Sequence, residues 1–159
     1  MCEAEGMAMA PWGALGRGHF KTAEQRKSTE GRKMGEASEK YLKVSAVLEK
    51  IAKQKNTIIT SVAMAYVMHT SPDVYPIVGG RNTTHLKGNI EALNLKLSEE
   101  EMKEIEGAYG FDYGFPGTFL TMGMPSSARL TAADLFITKA TVHLDIPHRR
   151  TRAFPPSAK

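Results

Sequence analysis

The residues best suited to chemistry lie in the run Val74 to Leu93, VYPIVGGRNTTHLKGNIEAL. An apolar stretch enters Gly79 and Gly80, then Arg81, then an amphipathic segment. That order offers backbone N–H groups and a cation to a phosphate. Glycine lets the backbone approach an anion closely, and the guanidinium supplies a planar set of donors that matches phosphate oxygens. His85 and Asn89, four residues apart, share one side of the helix that follows. A second glycine-rich run, Gly13, Gly16 and Gly18, reads GxxGxG and is not followed by a helix start, so it is a poor match to the Rossmann fingerprint. On spacing alone, duller readings stay open. The paired glycines could simply turn the chain, Arg81 could be a solvated surface charge, and His85 a helix-surface histidine. Asn82-Thr83-Thr84 has the form of a glycosylation sequon and, without a secretory signal, reads as chance.

Composition narrows the classes. The chain has 159 residues and 42% hydrophobic content, enough for one ordinary domain with a core. It has no apolar run of about 18 residues and no basic, apolar leader, so a cytoplasmic location is expected. The lone Cys2 makes neither an internal disulfide nor a zinc cluster. The net charge is +4, but the excess lies after Leu120, ending in HRRTRAFPPSAK, while the body is balanced. With no base-reading helix and no aromatics interleaved with basic residues on a strand, nucleic-acid binding is disfavoured.

The elements that must position the glycine runs follow from periodicity. Met7 to Ala10 reads as a buried strand stopped by Pro11, and Lys21 to Ser38 as loop. Tyr41, Val44, Val47, Leu48, Ile51 and Ala52 recur at helical spacing on a face that packs on a core. Thr60 or Ser61 caps a second helix running to Met68, apolar on most sides, and Pro72 ends it. Val74 to Val78 is a second strand, and Leu86, Ile90 and Leu93 line one face of the helix after the glycines. Ser98 and Glu101 have capping-box spacing, with Leu97 able to staple to Met102, on a helix whose face continues through Ile105 and Tyr109. Met7, Met9, Met64 and Met68 read as core filler. This alternation of strands and helices demands a parallel sheet. Two parallel strands cannot close a sheet or cover both their faces, so the chain reads as a piece of a larger βα structure.

APWGALGRGHF at Ala10 to Phe20, EKIAKQKNTIITSVAMAYVM at Glu49 to Met68 and IVGGRNTTHLKGNIEAL at Ile77 to Leu93 together resemble the C-terminal part of an aldo-keto reductase, closest in flavour to the fungal aryl-alcohol dehydrogenase and norsolorinic acid reductase group. The resemblance covers about Met1 to Phe119. It implies an α/β fold, the C-terminal fragment of a (β/α)8 TIM barrel, with Met7 to Ala10 as its seventh strand and Val74 to Val78 as its eighth. Such barrels need about 250 residues and place their sites at the C-terminal ends of the strands. By the same resemblance Ala10, Pro11, Trp12, Gly13, Leu15, Gly16, Arg17 and Gly18 lie along the pyrophosphate of NADP. Gly79, Gly80 and Arg81 meet the adenosine 2′-phosphate, and His85 and Asn89 turn to phosphate and adenine. NADP is therefore expected over NAD.

The family's tyrosine, lysine, aspartate and histidine, which deliver a proton as hydride passes between nicotinamide and a carbonyl, belong to the early half of the barrel. Tyr41, Tyr66, Tyr75, Tyr109 and Tyr113 stand in other contexts, and no residue is carried over as catalytic. Residues 1–120 are expected to be barrel sequence. Residues 121–159 are expected to be a divergent basic tail, poorly ordered, with Leu130 to Ala140 as a short helix at most. Two functional classes follow. One is the truncated portion of an NADP-dependent oxidoreductase of fungal polyketide or terpenoid metabolism, acting on a small carbonyl or alcohol. The other is a non-enzymatic remnant of a truncated gene or gene model, inactive alone or paired with a partner that supplies the missing strands.

Overall fold

A computed structural model of the chain describes residues 2, 5–27, 35–110, 112 and 114–116. The expected tail, including Leu130 to Ala140, lies outside them. Within the unit that includes Met1–Tyr109 the helices are α1 (Ala23–Lys27), α2 (Glu39–Gln54), α3 (Ile59–His69), α4 (Thr83–Glu91) and α5 (Glu99–Gly107), with 3-10 turns at Gly16–Gly18 and Ala92–Asn94. A separate unit begins at Gly110, where the Asp112 carboxylate accepts a hydrogen bond from Gly114 N–H at 2.9 Å.

The core forms where three helices meet. α2 contributes Leu48, Ile51 and Ala52, α3 contributes Ile59, Val62, Ala63 and Ala65, and α5 contributes Met102 and Ile105, with Leu97 just ahead of it. The periodic face expected of α2 is the face it buries. The end of α2 is set by Asn56, whose backbone is left-handed at φ 51°. Thr57 N–H then reaches Ala52 O at 2.9 Å and Asn56 N–H reaches Lys53 O at 3.3 Å, the pair of bonds that closes a Schellman motif. At the start of α5 the capping box is complete: Glu101 N–H donates to Ser98 Oγ at 3.3 Å and Ser98 N–H to Glu101 Oε2 at 2.7 Å. Leu97 and Met102 are both buried in the core, as a staple requires. Lys50 of α2 and Lys55 just after it pair with Glu104 and Glu101 of α5, at 2.7 and 3.1 Å, tying the two helices across their rims.

Four expectations need correcting. α1 occupies part of the segment read as loop. It starts on a reciprocal box in which Gln25 N–H donates to Thr22 Oγ1 at 3.1 Å and Thr22 N–H to Gln25 Oε1 at 3.0 Å. α3 begins at Ile59, and neither Thr60 nor Ser61 caps it. Ser61 instead turns its hydroxyl across to Gly88 O at 3.2 Å, in a buried bond that holds α4 against α3.

The third correction concerns the strands. Among the described residues the pairing of the two apolar runs is parallel, as expected, but consists of isolated bridges, Met9 with Val74 and Trp12 with Ile77. Met9 N–H donates to Asp73 O at 2.8 Å, Tyr75 N–H to Met9 O at 2.8 Å, and Ile77 N–H to Pro11 O at 3.0 Å. The bond that would join them into one ladder needs an N–H on Pro11, and proline has none. The fourth concerns Met7 and Met9, which are exposed rather than buried. Tyr75 and Ile77 on the partner segment are exposed as well, as apolar side chains are where a parallel pair is not covered on both faces.

Candidate phosphate-binding site

Parallel pairing sends both glycine runs out at the same end of the paired segments. Pro11 and Trp12 lie beside Ile77, so the loop that starts at Gly13 and the turn at Gly79 and Gly80 leave from neighbouring positions. A side-by-side exit of two βα loops at the C-terminal ends of parallel segments is where α/β folds place anionic ligands.

The first loop is two consecutive turns. Gly16 N–H donates to Gly13 O and His19 N–H to Gly16 O, both at 2.9 Å. Gly13, Gly16 and Gly18 take φ of 81°, 67° and 88°, values open to glycine and strained for other residues. Gly16 is further constrained by space, since a Cβ there would come within 2.7 Å of the Phe20 ring. Phe20 packs on the core and edge-on to Tyr41, and His19 stacks on Tyr41 at 4.5 Å between ring centroids. Sequence reasoning did not single out this aromatic foot; the signal was the Gly16 to Phe20 spacing ahead of the α2 stripe. Ser45 Oγ on α2 also donates to His19 O, at 3.5 Å.

Above the foot, Arg17 is exposed and itself left-handed, at φ 53°. Its guanidinium lies 4.4 Å from the centroid of the Trp12 ring, which is 69% exposed. Ala10 and Gly18 are exposed, whereas Pro11 and Leu15 are half-buried.

The second loop is closed by its own helix. Asn82 caps α4, its side-chain oxygen accepting from His85 N–H at 2.9 Å. The His85 ring folds back so that Nδ1 accepts from Arg81 N–H at 3.4 Å, which puts the ring proton of neutral His85 on Nε2. Gly80 makes this possible: a Cβ at that position would stand 2.6 Å from His85 Cβ. Gly79, Gly80, Arg81 and His85 are all exposed.

Asn89 differs from its neighbours. It shares the His85 side of the helix but is only 7% exposed. Small residues explain this. α4 approaches α3 through Gly88, where an added Cβ would meet Ile58 Cδ1 at 2.9 Å, and the buried side of the segment is Gly88, Asn89 and Ala92. The apolar face of Leu86, Ile90 and Leu93 consequently points outward, each about half exposed at 56%, 53% and 50%. The structure therefore brings Trp12, Gly13, Gly16, Arg17, Gly79, Gly80, Arg81 and His85 to loops at one end, with Asn89 set back in the helix packing. Among the described residues no group of His, Cys, Asp and Glu is arranged to hold a metal.

Two adjoining loops at one end of the paired segments thus each offer glycine backbone and an exposed arginine. Residues 1–109 match the aldo/keto reductase family, and the chain belongs to it. It is 51% identical to norsolorinic acid reductase A of Aspergillus parasiticus, over 91% of this chain and 38% of that protein. A putative aryl-alcohol dehydrogenase of Saccharomyces cerevisiae is 41% identical, over 72% of this chain and 82% of that protein. A solved thermostable aldo-keto reductase in complex with the inhibitor epalrestat is 27% identical, with a TM-score of 0.49, covering 68% of this chain and 32% of that one. The chain thus spans 38% of the length of three norsolorinic acid reductases it matches.

Proposed function

We propose that this chain is the NADP-binding portion of an aldo-keto reductase that interconverts a carbonyl and an alcohol in fungal secondary metabolism. The observation that carries the reading is the parallel pairing that sends the Gly13 to Gly18 loop and the Gly79 to Arg81 turn out together, with Arg17 and Arg81 exposed on them. The residues suit the group. Gly80 has no room for a side chain, Gly16 has neither room nor permissive backbone for one, and each loop carries an exposed cation. Arg17, with the loop amides, would hold the pyrophosphate. Arg81 would hold the 2′-phosphate, and the His85 Nδ1 contact keeps the Arg81 backbone in place. When bound, NADP supplies or accepts a hydride. The substrate class rests on the relatives: norsolorinic acid is the substrate that one of them is named for, and a polyketide or terpenoid carbonyl fits that group.

No residue of this chain is assigned a proton-transfer role, so turnover by the 159-residue chain alone is not expected. A second reading, a non-enzymatic remnant of the same gene family, is favoured by the exposure of Met7, Met9, Tyr75 and Ile77 on the paired segments. Calorimetric titration with NADP, NAD and a hydrolysed nucleotide control separates the two. Saturable binding that prefers NADP supports the cofactor module. Absence of binding together with strong uptake of an apolar dye supports the remnant, and NADPH-dependent turnover by the chain alone would overturn both.

A further inference from the structure

The Arg17 side chain is exposed but folds back over its own loop. It runs back past Gly13, where a Cβ would stand 3.5 Å from Arg17 Nε, and ends over the indole of Trp12 at 4.4 Å. Three features make this arrangement more than a chance surface contact. The backbone of Arg17 is left-handed at φ 53°, a conformation uncommon for a residue with a side chain. Gly16 is locked between turns and against Phe20, fixing the direction in which residue 17 leaves the loop. And Trp12 is held independently, by its bridge to Ile77. Two separately anchored residues therefore meet at one place. Among the described residues the Arg17 guanidinium has no hydrogen-bond or ion-pair partner, so its five donors are uncommitted.

We propose that Trp12 is a positioning residue that acts through Arg17: contact with the ring fixes where the guanidinium sits and leaves its N–H donors to a pyrophosphate. This rests on the cofactor reading above and adds a role that reading does not contain, since Trp12 then contributes to anion affinity without touching the anion. A free arginine must give up rotamer freedom when it closes on a ligand, and a stacked one has already given up part of it. Loss of the ring is expected to weaken binding by about two- to fivefold, the size of an exposed cation–π contact.

The test is a double-mutant cycle on the full chain, read by calorimetry with NADP. Trp12→Ala weakens binding by that factor, Arg17→Ala weakens it more, and adding Trp12→Ala to Arg17→Ala changes nothing further. Trp12→Phe, which keeps a ring face, restores most of the loss. Trp12 is the sole tryptophan, so its emission and acrylamide quenching report the contact without ligand, and Arg17→Ala is expected to alter both. Additive losses in the cycle, or tryptophan emission and quenching indifferent to Arg17→Ala, overturn the proposal while leaving the cofactor reading intact. Failure of the unmodified chain to bind NADP overturns the cofactor reading and this proposal together.

Discussion

Replacing Gly16 by alanine should cost far more than the same change two residues on. At both Gly16 and Gly18 the backbone is left-handed, with φ of 67° and 88°, so each variant carries a conformational cost of about 1–2 kcal/mol. Gly18 has open space where the new methyl would stand, and the cost ends there. At Gly16 the methyl would lie 2.7 Å from two ring carbons of Phe20, a residue packed on the core formed by α2, α3 and α5. Overpacking of that kind adds about 1–3 kcal/mol. For a domain of about 100 residues the two variants should then differ in melting temperature by about 4–24 °C, at roughly 4–8 °C per kcal/mol. Thermal unfolding followed by far-ultraviolet circular dichroism, together with urea titration, gives both values. In a Phe20→Leu background, where the ring is gone, the extra penalty of Gly16→Ala should shrink toward that of Gly18→Ala. Equal melting temperatures for Gly16→Ala and Gly18→Ala would refute the claim that the loop is seated on Phe20.

Other outcomes follow from the same structure. Ser98→Ala removes one half of the capping box on α5 and should destabilise the fold by about 1 kcal/mol in urea unfolding. Met102→Ala, at a fully buried position, should cost about 2–5 kcal/mol in the same assay. Burial pushes the His69 imidazole below its ordinary value, so the folded state takes up its proton less readily than the unfolded one. Stability from this group is present above about pH 6.5 and is lost as pH falls below it, and His69→Gln should flatten that part of the pH–stability curve. Arg81→Ala should narrow the proposed NADP over NAD preference while leaving the unfolding free energy within about 0.5 kcal/mol of that of the unmodified protein, because the side chain is exposed.

Which features were legible depended on how local their causes are. α2 and α5 could be read because a 3.6-residue stripe and a Ser98 to Glu101 box are properties of a dozen neighbouring residues. The glycine runs were legible for the same reason, since a close backbone approach restricts residue type at one position. α1 was missed although Thr22 and Gln25 carry its box, because five residues give no stripe. The remaining differences were set by distant partners. Whether Met7 and Met9 are covered depends on what lies above the paired segments. Pro11 breaks the ladder only because it falls opposite the carbonyl it would have had to serve. The outward turn of Leu86, Ile90 and Leu93, and the burial of Asn89, follow from the small surface of Gly88 and Ala92 meeting α3. Helical spacing defines a face but not which neighbour claims it. The stacking of Arg17 on Trp12 depends on a left-handed backbone at a non-glycine residue, which residue type does not announce.

The central claim is that the loops at Gly13 to Gly18 and at Gly79 to His85 close on one ligand. Hydrogen exchange of the full chain with and without saturating NADP tests it directly, peptide by peptide. Protection should rise in both loops together, with little change in α5, which packs on α2. Protection confined to one loop, or an exchange pattern that NADP leaves unchanged, would contradict the account.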